Sequence, residues 1–244
     1  MNRPAPLRRA SLRRALPVLA LLSSAVPALA AERTVALGSF DRVRVEGFYD
    51  VTVATGRSPG ATLSGDRDAL DEVEVWVDGT TLVIRHGATR WEPRRGATST
   101  PITVALATPT LTAASVVGGS RLRIAAMKGD RVDLSVGGTG TIAVEQVDAG
   151  RAQVTVIGAG TVSLAGKAAS ARLLTSGSGS IDAGKLDAGD LSVRLDGTGD
   201  TTASARYSAE VVNSGLGRVS VAGNAKCRVT ASAGGPVTCG APAR

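Results

Sequence analysis

The sequence predicts an all-β protein, a parallel β-solenoid of the right-handed β-helix kind, with about seven glycine-turned coils and a strand-rich N-terminal part. Three observations predict it. A Gly-x-Gly motif recurs at a nearly fixed interval. Apolar and polar residues alternate with period two on both sides of each motif. Only residues 68–72 read as helix, and then as a single turn.

In chain order, the first segment stands apart. Arg3, Arg8, Arg9, Arg13 and Arg14 form a positive start, residues 15–29 are apolar but short for a membrane span, and Ala28-Leu29-Ala30 supplies a small-x-small cleavage site. Residues 1–30 are therefore expected to be a secretory signal peptide, with the mature chain exported to the periplasm, the cell surface or the medium. The formal charge of +7 belongs mostly to this segment. Without its five arginines, 23 basic residues face 21 acidic ones, a net charge of +2. The hint of nucleic-acid binding in a pI of 10.2 disappears with it. Aromatic residues, at 2%, offer no stacking platform for single strands either. No later apolar run is long enough for a transmembrane helix.

Residues 32–109 read as the strand-rich N-terminal part. Val43-Arg44-Val45 and Val51-Thr52-Val53 flank Gly47-Phe48-Tyr49-Asp50. Val73-Glu74-Val75-Trp76-Val77 and Leu82-Val83-Ile84-Arg85 flank Asp78-Gly79, a hairpin turn. Ile102-Thr103-Val104-Ala105-Leu106 follows an expected exposed loop over 87–101.

Residues 110–240 carry the repeat. The first positions of the motif are Gly118, Gly138, Gly158, Gly177, Gly197, Gly215 and Ala233, spaced 20, 20, 19, 20, 18 and 18 residues apart. Four residues earlier stand Leu134, Val154, Leu173, Val193, Val211 and Val229. Four later stand Ile142, Val162, Ile181, Thr201, Val219 and Val237. Between inward positions lie Asp133, Gln153, Arg172, Ser192, Glu210 and Arg228. Each repeat thus reads as two strands joined by a glycine bend, with a looser return segment such as residues 145–150. Stacking lets each inward Val or Leu recover roughly 1.5–3 kcal/mol of burial. A phosphate cradle would need the glycines to open a helix, whereas here a strand follows them.

The opening Phe40-Asp41-Arg42-Val43-Arg44-Val45-Glu46-Gly47-Phe48-Tyr49-Asp50-Val51-Thr52-Val53 resembles that of the auto-transporter adhesin head GIN domain family. Asp78-Gly79-Thr80-Thr81-Leu82-Val83-Ile84 is similar to that family's next landmark. Ser176-Gly177-Ser178-Gly179-Ser180-Ile181 and Asp196-Gly197-Thr198-Gly199-Asp200 are similar to its repetitive body. The resemblance covers about residues 39–239. It implies a β-solenoid-like envelope or secreted protein, and it implies no catalytic residues.

The candidate chemistry is sparse. A Ser-His-Asp site would have to use the single histidine, His86. One His and two Cys make a poor zinc set, so no metal or other cofactor is expected. Asp133, Asp182, Asp196 and Asp200 fall in different columns of the repeat, which is not how a stacked acid pair would arise. Cys227 lies six residues before Ala233 and Cys239 six after it. Both columns hold inward residues elsewhere (Val132 and Leu191, Val144 and Leu164). The two sulfurs are expected to meet across the interior of the last coil as a disulfide, as export would favour. Arg90, Trp91, Arg94 and Arg95 cluster on the expected loop, where they offer contact to anionic glycans or lipid head groups. The expectation is a non-enzymatic adhesin-like or structural module that meets a surface glycan or an envelope protein. A polysaccharide-processing enzyme on the same scaffold is the alternative.

Overall fold

A computed structural model of the chain describes residues 31–87 and 101–241. The N-terminal strands are β1 (Ala31–Val35), β2 (Arg42–Gly47), β3 (Tyr49–Thr55) and β4 (Gly60–Gly65). After them come helix α1 (Arg67–Asp71), the strands β5 (Val73–Asp78) and β6 (Thr81–His86), and β7 (Ile102–Thr108). The body is β8 (Ala113–Gly118), β9 (Arg121–Gly138), β10 (Thr141–Gly158), β11 (Thr161–Gly177), β12 (Ser180–Gly197) and β13 (Thr201–Asn213). It ends in β14 (Val219–Ala222), β15 (Lys226–Ala231) and β16 (Val237–Ala241). All sixteen strands of the described residues belong to one sheet.

That sheet is wound into a parallel β-solenoid. From β9 to β13 each strand lies parallel to the next, and the glycine motifs stand in register: Gly118 on Gly138, Gly138 on Gly158, Gly158 on Gly177 and Gly177 on Gly197. The inward column also stacks, running Ala114, Leu134, Val154, Leu173, Val193, Val211 and Val229. Its first six members are buried at 2% exposure or less. There are about six turns, against about seven counted from the motifs. The last motif is flanked only by the short β15 and β16.

The return segment is not loose. β10 and β12 run for 18 residues each, from one glycine bend to the next. In β10 the buried positions are Ile142 and Val144, then Val147 and Ala149, then Ala152, Val154 and Val156. The step of three at 144–147 and at 149–152 breaks the two-residue rhythm and turns the chain. The first break coincides with a register shift against β11. Residues 145–150 looked irregular in sequence because a side only three residues long is too short to show alternation.

The bends require glycine. Gly118, Gly138, Gly158, Gly177 and Gly197 have φ between 107° and 145°. A Cβ on Gly158 would lie 2.8 Å from the carbonyl oxygen of Gly138 in the coil before. Where the second glycine is replaced by Ser120, the hydroxyl donates to Gly47 O at 2.9 Å and accepts from Tyr49 N at 3.0 Å. Gly47, with φ 124°, is itself a bend of the same kind, and β2 and β3 lie parallel to β8 and β9. In the bend after β13, Asn213 Nδ2 donates to Gly217 O at 2.8 Å, and its Oδ1 accepts from Gly215 N at 3.1 Å. A polar residue thus occupies an inward column without an unmet hydrogen bond.

The N-terminal strands close one end of the coil. β6 and β7 lie parallel to β2 and β3. The β5–β6 hairpin turns at Gly79 as expected, and β7, β4 and β1 continue antiparallel. α1 is capped by Asp66, whose side chain accepts from the amides of Asp68 and Ala69. It buries Leu70, and Arg33 Nη1 fixes its exit by donating to Leu70 O and Val73 O.

Candidate functional site

Two outward columns run side by side along one wall of the solenoid. One carries Arg131, Arg151, Ser170, Asp190, Ser208 and Lys226. The other carries Asp133, Gln153, Arg172, Ser192, Glu210 and Arg228. The two columns flank one inward column (Val132, Ala152, Ala171, Leu191 and Ala209) by one residue on either side, and parallel register stacks the members of each about 4.8 Å apart. Between them lies an open groove of about 500 Å³, lined by side chains from Arg131 at one end to Glu210 at the other.

The groove is polar and unevenly charged. Arg131 Nε sits on both carboxylate oxygens of Asp133, at 3.0 and 2.9 Å, and Arg131 Nη2 donates to Gln153 Oε1 at 3.3 Å. Arg151 and Arg172 make no ion pair among the described residues. Further on, the Ser208 hydroxyl donates to Asp190. At the corner beside Ser208, the ring of Tyr207 is 64% exposed, and the Arg206 guanidinium lies 5.2 Å from its centroid.

The residues singled out from sequence are scattered. Cys227 and Cys239 are joined in a disulfide with Cα atoms 6.4 Å apart. Their register partners Ala209 and Val221 are buried, so both columns do point inward. Cys227 itself is exposed and Cys239 half-buried, because among the described residues no coil stacks beyond them. Arg90, Trp91, Arg94 and Arg95 lie outside the described residues. His86 Nε2 is 3.5 Å from Glu72 Oε2 on an exposed edge. Asp133 is held by Arg131, Asp182 accepts from Gly184 N, and Asp200 accepts from Arg218 N. The structure does not bring these acids together, and no group of three or more His, Cys, Asp or Glu among the described residues is placed to hold a metal ion. The Asp133 column was readable as polar. The signal for its companion, the column seven residues before each motif, was present in the same frame, but its mixture of Arg, Ser and Asp resembles any solvated strand.

Residues 39–225 match the family described as "Putative auto-transporter adhesin, head GIN domain". The chain belongs to that family. A search of curated proteins finds no match. Solved structures share the GIN-domain fold. A putative adhesin from Bacteroides fragilis is 22% identical, with a TM-score of 0.76 over 86% of this chain and 95% of that one. A putative adhesin from Parabacteroides merdae is 16% identical, with a TM-score of 0.67 over 87% and 97%. A Parabacteroides distasonis structure described as a putative lipid binding protein is 15% identical, with a TM-score of 0.67 over the same shares. At these identities the likeness concerns the fold. Among the described residues of this GIN domain, no helix is long and apolar enough to cross a membrane.

Proposed function

We propose that this GIN domain is a non-enzymatic, exported, adhesin-like module that meets a cell-surface polymer or an envelope protein along its ladder wall. The observation that carries the reading is the groove itself. It is long, open and lined by in-register polar side chains on a rigid parallel sheet, which suits an extended chain better than a small enclosed substrate. In this reading residues 1–30 are a signal removed on export, residues 32–109 form the N-terminal part and residues 110–240 the repeat body. The Cys227–Cys239 bridge suits an oxidising compartment. Arg90, Trp91, Arg94 and Arg95, outside the described residues, would be a secondary contact. The test is binding of the processed protein to isolated envelope polymers and to a glycan array. Retention that is lost when Arg151, Arg172 and Glu210 are replaced together supports the module, and no retention on any surface rejects it.

One observation favours the polysaccharide-processing alternative. Asp190 and Glu210 come from adjacent strands and line the same groove. Shortened oligosaccharides after incubation with acidic polysaccharides, absent with Asp190→Asn, would establish it.

A further inference from the structure

We infer that the groove recognises an acidic glycan in which a carboxylated sugar stands next to an uncharged one. This rests on the reading of the ladder wall as a binding surface and names its ligand class.

The charge pattern carries the inference. Arg131 and Arg151 are direct register partners on parallel strands, and like charges placed so destabilise a sheet. Among the described residues, only Arg131 of the two makes an ion pair, with Asp133. Arg151 and, diagonally on the next coil, Arg172 leave two unpaired guanidinium groups facing the same groove. Guanidinium forks suit carboxylates, which take two parallel N–H donors. The rest of the groove is unlike a general anion site. Ser170 and Ser192 follow in the two columns, and then Asp190 and Glu210. Their carboxylates accept hydrogen bonds from hydroxyl or amide N–H groups and repel a second anion. Arg151 and Asp190 lie two strands apart in one column, about 10 Å. That leaves room for a uronate on the arginines and a neighbouring sugar over the serines and acids. At the Asp190 end, Tyr207 adds an exposed amphipathic ring, a residue type that interfaces favour. A uniformly acidic chain would meet repulsion at Asp190 and Glu210. A neutral chain would leave Arg151 and Arg172 without partners.

The test is calorimetric titration of the processed protein at two salt concentrations with three probes. These are hyaluronan hexasaccharide (alternating uronate and N-acetylhexosamine), a galacturonate hexamer (every sugar acidic) and hexa-N-acetylchitohexaose (uncharged). Hyaluronan hexasaccharide is expected to bind at least about tenfold tighter than either of the others, and more weakly at high salt. Arg151→Ala with Arg172→Ala should weaken it by at least about tenfold, with an unchanged far-UV spectrum and melting temperature as the folding control. Asp190→Asn with Glu210→Gln should raise affinity for the galacturonate hexamer. Hexa-N-acetylchitohexaose binding as tightly as hyaluronan hexasaccharide, an arginine double variant that binds unchanged, or no binding of any probe would overturn the inference. If envelope polymers are retained while any of these holds, the binding-module reading survives and only the ligand class falls.

Discussion

The two ends of the solenoid solve the same problem differently. At the N-terminal end the coil interior is covered by β6 and β7, then by β4, β1, β5 and α1. Leu63, Leu70, Leu82 and Ile84 are all buried there. At the other end, among the described residues, β15 pairs only with β13, and each of its six residues is exposed. Val211 and Val229 occupy one inward column on neighbouring strands, yet Val211 is 0% exposed and Val229 45%. Burial in a solenoid is therefore a property of having a neighbour on both sides, not of the column alone. The closed end relies on packing. The open end relies on the Cys227–Cys239 bond, with Lys226 and Arg228 on β15 and Pro236 ahead of β16, the charge and proline devices that blunt an exposed edge.

The largest effect should come from the closed end. Leu82→Ala removes a fully buried side chain and is expected to cost about 2–5 kcal/mol in urea unfolding. A loss under 1 kcal/mol would mean that the N-terminal strands are not a cap. Replacing both cysteines by serine should cost about 3 kcal/mol by the loop-entropy argument for a separation of 12 residues. That loss should appear as early melting confined to the last strands. Proteolysis near residues 226–241, visible by mass spectrometry before the body unfolds, checks this.

The matched valines sharpen the contrast. Val211→Ala should cost about 2 kcal/mol and Val229→Ala no more than about 0.5 kcal/mol. Equal costs would show that the last strands are covered. The smallest effect concerns pH. Burial raises the Tyr49 phenol above its ordinary value of 10.0, and the Glu72 charge adds to this. The folded state then holds the proton more tightly than the unfolded state. The associated stability is complete below about pH 10 and is lost as the pH rises through the higher folded value. Tyr49→Phe should flatten the alkaline limb of a melting-temperature profile.

Much of this architecture was legible because a solenoid writes its register into its period. The Gly-x-Gly interval and the columns through Leu134 and Ile142 located the bends and inward faces without any long-range information. The hairpin at Asp78-Gly79 was equally local. What escaped needed knowledge of neighbours. Residues 145–150 looked loose because their short side has corners on both flanks. The parallel placement of β6 on β2 and β7 on β3 depends on contacts between distant segments that share no repeat. The pairing of the cysteines followed from their columns, but the exposure of Cys227 did not, since a column does not say where stacking stops. The groove was half visible. The Asp133 column read as polar, but its significance came only when Arg131 and Arg151 stood side by side across two strands.

Hydrogen–deuterium exchange followed by mass spectrometry, on oxidised and reduced protein, tests most directly the claim that one end is closed by packing and the other by a covalent bond. Amides of β9 to β12 should exchange slowest, with those of β2, β3, β6 and β7 close behind. Those of β15 and β16 should exchange fastest, and faster still after reduction, with the rest unchanged. Protection of β15 equal to that of β10, or exchange at the C-terminal strands that ignores reduction, would contradict it.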